Sequence, residues 1–111
     1  MTLKEIKSLK ILGIIPSRLK STRLPNKPLI KINGEAMISR VHRLASQSPL
    51  LTKTIVATDS NKIKDVIRGD GGIAVITSEK HVNGTERMTE IIKKDEYKDY
   101  DIYVFIAGDE A

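Results

Sequence analysis

Four cationic side chains fall within ten residues, directly after the short apolar segment 11–15. They lie in the stretch 17–28, which also carries hydroxyl and amide groups, and they are Arg18, Lys20, Arg23 and Lys27. Fixed cations, hydroxyls and backbone N–H groups together can surround a polyphosphate. The stretch fits neither the Walker A pattern nor the glycine pattern of dinucleotide-binding loops. We therefore predict a phosphate-binding loop of another type, with a solvated basic surface loop as the alternative.

An acidic pair, Asp109 and Glu110, follows the last apolar segment, residues 102–106. Mg²⁺ takes one or two carboxylates and completes its coordination shell with water and substrate phosphates. Asp109 is the preferred metal ligand, whereas Glu110 is as consistent with a structural role. The alternative for both residues is an ordinary acidic turn after a strand.

A third group of polar residues occupies positions 81–87, where a helix is predicted to begin. Backbone donors at a helix N-terminus and the Arg87 guanidinium can hydrogen-bond a base or a phosphate. A capped helix start with a surface arginine is the alternative, and spacing alone favours it. We interpret His81 as a loop residue and His42 as a packing or surface residue, since two distant histidines do not form a zinc site. Asp59 is explained equally well as a residue at a helix start.

The elements that must position these groups follow from the apolar pattern. Four short apolar runs, at 11–15, 54–57, 73–76 and 102–106, predict buried strands, the first of them stopped by Pro16. Helical spacing follows each of the first three runs, and Asn33-Gly34 indicates a tight turn. This alternation predicts an α/β fold, a doubly wound and mainly parallel sheet with helices on both faces. Ligands of such sheets bind beyond the carboxyl ends of the strands, near the point where strand order reverses.

Composition narrows the choice of partners. The 111 residues fit one domain, and the net charge of +5 favours anionic ligands. The absence of cysteine excludes disulfides, thiolate metal sites and cysteine nucleophiles. Aromatic residues are few and the cations form no long stripe, so we expect no nucleic-acid partner. Neither a signal peptide nor a membrane-spanning stretch is recognisable, and we therefore expect no membrane partner and a cytoplasmic location.

At these motifs the chain resembles a known family. Residues 14–18 and 21–29 are similar to the signature "IPAR..STRLPGKPL" of the 3-deoxy-D-manno-octulosonate cytidylyltransferase (CMP-Kdo synthetase) family. Residues 32–34, 37–38, 56–59, 84–87 and 108–110 continue the resemblance in the family's order and spacing. The Ser-Thr-Arg-Leu-Pro part is fairly specific, because the related sialic acid enzymes carry a different, lysine-containing loop.

The resemblance implies a Rossmann-like nucleotidyltransferase fold of the nucleotide-diphospho-sugar transferase type, and a reaction. The anomeric hydroxyl of an acidic sugar, 3-deoxy-D-manno-octulosonate, attacks the α-phosphate of CTP, and pyrophosphate leaves. The product is a CMP-activated sugar for lipopolysaccharide biosynthesis. Transferred by position, the catalytic residues are Arg18, Arg23 and Lys27, and Asp109 holds Mg²⁺. The substrate-binding residues are Pro16, Ser17, Ser21, Gly84, Thr85 and Arg87.

The chain also departs from the family pattern. Ala107 and Ala111 replace a glutamine and a proline, and Asn83 replaces a serine. Family members are about twice as long, so residues 1–111 are expected to form a truncated, nucleotide-binding half. The sugar-binding and dimerisation half, which gives the full-length family its homodimer, is then absent, and activity of the chain alone is doubtful. The alternatives are another sugar or alditol nucleotidyltransferase, a non-catalytic nucleotide-binding fragment, or a nucleic-acid-binding module.

A chain that ends after the fourth strand is expected to leave one sheet edge unpaired and one apolar surface uncovered. Unpaired edges and exposed apolar patches both promote association. We therefore predict a marginally stable or self-associating protein.

Overall fold

Strands and helices alternate along the chain, as the sequence predicts. The computed structural model describes residues 2–19, 26–80 and 84–107. The first half contains α1 (Leu3–Ser8), β1 (Ile11–Ser17), a 3₁₀ turn (Lys27–Leu29), β2 (Lys31–Ile32), β3 (Glu35–Ala36) and α2 (Met37–Ser46). The second half contains β4 (Lys53–Thr58), α3 (Asn61–Gly69), β5 (Ile73–Ile76), α4 (Gly84–Ile92) and β6 (Ile102–Phe105).

Four of the strands form one parallel sheet in the order β5-β4-β1-β6. The chain moves outward from β1 to β4 and β5, then returns to place β6 on the other side of β1. Strand order therefore reverses between β1 and β6, which confirms the doubly wound α/β prediction. In open parallel sheets the crevice for a ligand lies at this point, beyond the carboxyl ends of the strands.

Each face of the sheet carries its own hydrophobic core. On one face, Ile15 and Val56 pack with residues of α2 and α3, among them Ile38 and Ile63. The other face is covered by α4 and the segment after it, through Ile91, Tyr97 and their neighbours. Successive strand residues point to opposite faces, and both faces are covered. The strands consequently appear in the sequence as continuous apolar runs.

Strand β1 does not stop at Pro16, so this part of the prediction is wrong. Its pairing with β4 continues to Ser17, which lies opposite Thr58. The Ile14 carbonyl accepts a 2.9 Å hydrogen bond from the N–H of Ile106, so Ile14 directs its backbone groups toward β6. Pro16, two residues further along, has the same orientation. Its missing N–H therefore ends only the pairing with β6 and leaves the pairing with β4 intact.

The predicted Asn33-Gly34 turn joins β2 and β3 into a short antiparallel hairpin. Asn33 has a φ of 55° and Gly34 a φ of 83°, so both residues are in the left-handed region. Two successive positive φ values are typical of the type I′ turn, which Asn-Gly favours. The hairpin leads directly into α2, whose first residue follows Ala36.

One surface of the described structure is apolar and open. Strand β6 is an edge of the four-stranded sheet. Beside it lies a groove of about 630 Å³, lined mainly by apolar side chains of α2, residues 50–51 and β6. Leu44, Leu50 and Ile102 line this groove and are 50%, 46% and 41% exposed. The structure thus contains the uncovered apolar surface that the sequence predicts.

Candidate nucleotide-binding site

The first residue of α4 lies at the crevice between β1 and β6. A Cβ atom at Gly84 would come within 2.7 Å of Phe105 Cζ and 3.2 Å of Pro16 Cγ. Pro16 and Phe105 stand at the carboxyl ends of the two strands that flank the reversal of strand order. The structure therefore brings together Pro16 and Gly84, two of the predicted substrate-binding residues.

The basic loop begins at the end of β1. Ser17 is buried, whereas the next residue, Arg18, is exposed. The Asn26 N–H donates a 3.0 Å hydrogen bond to the Leu19 carbonyl, so the two ends of the loop meet. Lys27 follows directly as the first residue of the 3₁₀ turn. The predicted residues Ser21 and Arg23 belong to the segment 20–25, which lies outside the described residues.

Asn26 closes this loop in a backbone conformation that few residues adopt. Its φ is 64° and its ψ is 16°, within the left-handed helical region. The family signature has glycine at this position, and asparagine is among the residues that visit this region most readily. The replacement of glycine by Asn26 therefore keeps the turn that returns the chain toward β1.

Arg87 is buried, which contradicts the alternative of a surface arginine. Its side chain is only 3% exposed. Nη1 donates hydrogen bonds to the Thr77 hydroxyl and, at 3.3 Å, to the Ser78 carbonyl, while Nη2 lies 3.5 Å from Asp59 Oδ2. One guanidinium thus joins α4 to the residues that follow β4 and β5.

Thr85 lies within the first turn of α4, since the helix already begins at Gly84. It is therefore not the N-cap of this helix. Its side chain is exposed, and its carbonyl accepts a 2.9 Å hydrogen bond from the Thr89 hydroxyl. Thr85 and Gly84 together present the start of α4 near the crevice.

The predicted metal ligand, Asp109, lies in the segment 108–111, outside the described residues. Across residues 2–19, 26–80 and 84–107, no group of three or more His, Asp or Glu side chains is arranged to hold a metal. Mg²⁺ needs only one or two protein carboxylates when substrate phosphates supply other ligands. The Asp109 carboxylate and the phosphates of a bound triphosphate are therefore suitable ligands for one Mg²⁺.

His42 lies away from the crevice, on α2. The position of a Cβ at Gly72 would be 2.6 Å from His42 Cε1, so the imidazole packs directly on that glycine. Burial lowers the pKa of His42, and the nearby Asp70 carboxylate opposes this effect. Of the two roles that the sequence left open for His42, packing or surface, the structure favours packing. His81 lies outside the described residues.

Sequence reasoning missed the partnership between Asp59 and Arg87. One signal was available, because Arg87 stands four residues before Ile91 and so occupies the buried face of α4. A charged residue on such a face needs a buried partner. The sequence does not show that this partner lies 28 positions earlier, at the end of another strand.

Comparison with known proteins identifies a family and several relatives of this chain. A sequence model of the cytidylyltransferase family matches residues 12–111. The 3-deoxy-manno-octulosonate cytidylyltransferase of Leptospira interrogans is 45% identical over 101 residues, which are 91% of this chain and 40% of that protein. The enzyme of the same name from Glaesserella parasuis is 50% identical over 97 residues, covering 87% of this chain and 38% of that protein.

A solved structure of CMP:2-keto-3-deoxy-manno-octonic acid synthetase complexed with CTP is also similar. It has a TM-score of 0.82 and 35% sequence identity, and the match covers 89% of this chain and 40% of that one. The chain thus spans about two fifths of the length of these relatives. In the part of the chain that the structure describes, no helix is long and apolar enough to cross a membrane.

Proposed function

Since this chain belongs to the cytidylyltransferase family, we propose that it forms the CTP-binding part of a 3-deoxy-D-manno-octulosonate cytidylyltransferase. The reaction transfers CMP from CTP to the anomeric hydroxyl of the sugar and releases pyrophosphate, for lipopolysaccharide biosynthesis in the cytoplasm. One observation carries the proposal: the base of the basic loop and the first turn of α4 meet at the reversal of strand order. The CTP named for the similar solved structure supports the choice of nucleotide.

The cationic residues act on the triphosphate. In the transfer, the anomeric oxygen forms a bond to the α-phosphorus as it loses its proton, and the bond from that phosphorus to the bridging oxygen breaks. Negative charge therefore accumulates on the departing pyrophosphate. Arg18, Arg23 and Lys27 bind the phosphates and stabilise that charge, because fixed cations in a shielded crevice favour the more charged transition state.

The remaining predicted residues bind and orient the nucleotide. Pro16, Ser17 and Ser21 line the phosphates, while Gly84 and Thr85 form the side nearer to the cytidine and the buried Arg87 supports them from within the fold. Asp109 would hold Mg²⁺, which when bound neutralises phosphate charge. We assign the sugar site and the homodimer contacts to the part of the longer relatives that has no counterpart in residues 1–111.

Binding of CTP is the first test. We expect the 111-residue chain to bind CTP in the presence of Mg²⁺, measured by isothermal titration calorimetry. Arg18→Ala should weaken binding by about tenfold or more, because a hydrogen bond to a charged group contributes about 1.5–3 kcal/mol. Arg40→Ala is the matched control, since Arg40 is an exposed arginine of α2. Absence of Mg²⁺-dependent CTP binding would contradict the proposal.

Pyrophosphate release is the second test. CTP, Mg²⁺ and the octulosonate sugar are supplied to the chain, with and without the remaining part of a relative as a separate polypeptide. Release in either case supports the transferase. CTP binding without release in both cases supports the non-catalytic nucleotide-binding alternative.

A further inference from the structure

We propose that Asp59 is a positioning residue of the nucleotide site. Its carboxylate holds the Arg87 guanidinium, and Arg87 in turn fixes the start of the segment that follows β5, residues 77–78, against the carboxyl edge of the sheet. The inference rests on the proposed CTP-binding function and adds a residue that the sequence motifs did not assign to the site.

Two side chains of α4 hold the beginning of that segment. Arg87 donates to the Thr77 hydroxyl and to the Ser78 carbonyl, at 3.3 Å in the second case. Glu90 accepts a 3.0 Å hydrogen bond from the Ser78 N–H. These bonds hold residues 77–78 directly against α4.

Asp59 supplies the charge that Arg87 needs in this position. Thr77 and Ser78 are neutral partners, and among the described residues Asp59 is the carboxylate that pairs with the guanidinium, at 3.5 Å. The Asp59 side chain is 20% exposed, compared with 3% for Arg87. A buried cation that loses its counter-ion is strongly unfavourable, so without Asp59 the guanidinium is expected to move toward solvent.

The pair also connects α4 to the end of β1 by a second route. Thr58, directly before Asp59, lies opposite Ser17 in the parallel ladder. Gly84, one turn before Arg87, packs against Pro16 and Phe105. The first turn of α4 is thus held at the crevice by packing at Gly84 and by the ion pair at Arg87. Loss of the ion pair leaves the packing contact and the hydrogen bonds to residues 77–78, without the charge that keeps the guanidinium buried.

Asp59→Asn tests this role, because it removes the charge and preserves the shape of the side chain. We expect CTP to bind about tenfold more weakly to this variant, with a smaller preference for CTP over UTP. Hydrogen exchange of the amides at 85–90 should become faster, while exchange in α2 stays unchanged. Asp65→Asn is the matched control, because Asp65 is exposed on α3 and the change in charge is the same.

Asp59→Glu provides the rescue. It keeps the negative charge, and we expect it to bind CTP within about threefold of the unaltered chain. Should Asp59→Asn fail to fold, as judged by circular dichroism, this variant decides the question. A folded Asp59→Glu variant that has lost CTP discrimination would overturn the inference, as would an Asp59→Asn variant that binds like the unaltered chain.

The outcomes separate this inference from the function on which it rests. An unaltered chain that does not bind CTP overturns both. An unaltered chain that binds CTP, together with an Asp59→Asn variant of normal affinity and nucleotide preference, overturns the positioning role alone. Reduced stability with unchanged CTP affinity and selectivity likewise counts against it, since a purely structural residue would give that result.

Discussion

At the scale of single residues, Gly84 shows how closely the site is packed. Alanine is about 1 kcal/mol more favourable than glycine inside a helix, but here its methyl group would meet the Phe105 ring and Pro16. Overpacking costs about 1–3 kcal/mol. We therefore expect Gly84→Ala to lower the free energy of unfolding by about 1 kcal/mol in urea titrations.

Gly69 is the matched control for Gly84. It ends α3, and a Cβ there would meet nothing within 4 Å. Gly69→Ala is expected to leave stability unchanged or to raise it by up to about 1 kcal/mol. If both variants were stabilised equally, the close approach of α4 to the crevice would be contradicted.

The partial burial of the His42 imidazole predicts that the stability of the fold depends on pH. Burial lowers its pKa in the folded state, so the unfolded chain binds the proton more readily. The free energy of unfolding is then highest above the usual histidine pKa of about 6.5 and decreases as the pH drops through that value. It becomes constant below the lowered pKa of His42 in the folded state. Urea unfolding at about pH 8 and about pH 5.5 should show this loss.

His42→Gln should reduce that difference between the two pH values. His81 is present in both proteins, so its contribution cancels in the comparison. An unaltered pH dependence in the variant would show that other groups cause it.

The chemistry of single residues was only partly predictable. The position of Arg18 at the end of β1 was predictable because cations near a strand end are visible in the sequence, but the catalytic roles of Arg18 and Lys27 stay predictions. The partner of Arg87 was not predictable, because Asp59 follows a different strand, 28 positions earlier in the chain. For Arg23 and Asp109, outside the described residues, the assigned roles remain predictions.

At the scale of elements, α3 depends on its N-cap. The Ser60 hydroxyl accepts a 3.3 Å hydrogen bond from the Ile63 N–H. Ser60→Ala should therefore lower the free energy of unfolding by about 1 kcal/mol. The control is Ser46, which is exposed at the carboxyl end of α2. Ser46→Ala should change the free energy of unfolding by less than about 0.5 kcal/mol. Equal effects of the two variants would exclude capping as the cause.

Four strands were predictable because burial on both faces leaves continuous apolar runs. The prediction for β5 agrees with the structure over 73–76, and those for β4 and β6 differ by one residue at their ends. Helix α1 was missed, since Leu3 and Ile6 are its apolar residues and Leu3 is 61% exposed. A helix with so little buried surface leaves almost no periodic signal in the sequence.

At the scale of the whole molecule, the groove beside β6 predicts self-association. Leu44 is half exposed there, beside the edge strand. We expect the sedimentation coefficient of the chain to rise with protein concentration, because exposed apolar surface next to an unpaired edge favours association. Leu44→Lys should weaken this dependence.

Leu3→Lys is the control for that experiment. Leu3 is 61% exposed on α1 and does not line the groove. A similar reduction by both variants would assign the association to general hydrophobicity and not to the groove. A chain that stays monomeric at all concentrations would contradict the prediction.

The doubly wound arrangement was predictable from the alternation of strands and helices and from right-handed crossovers, whereas the order β5-β4-β1-β6 was not. What the sequence did not show is how β1 and β6 separate at the crevice. A residue with an N–H at position 16 could donate to β6 and add one more rung to the ladder. Pro16 lacks that single hydrogen atom, so the two strands are free to diverge one residue earlier. The ladder between β1 and β6 therefore ends beside the proposed nucleotide entrance, where position 16 has no hydrogen to donate.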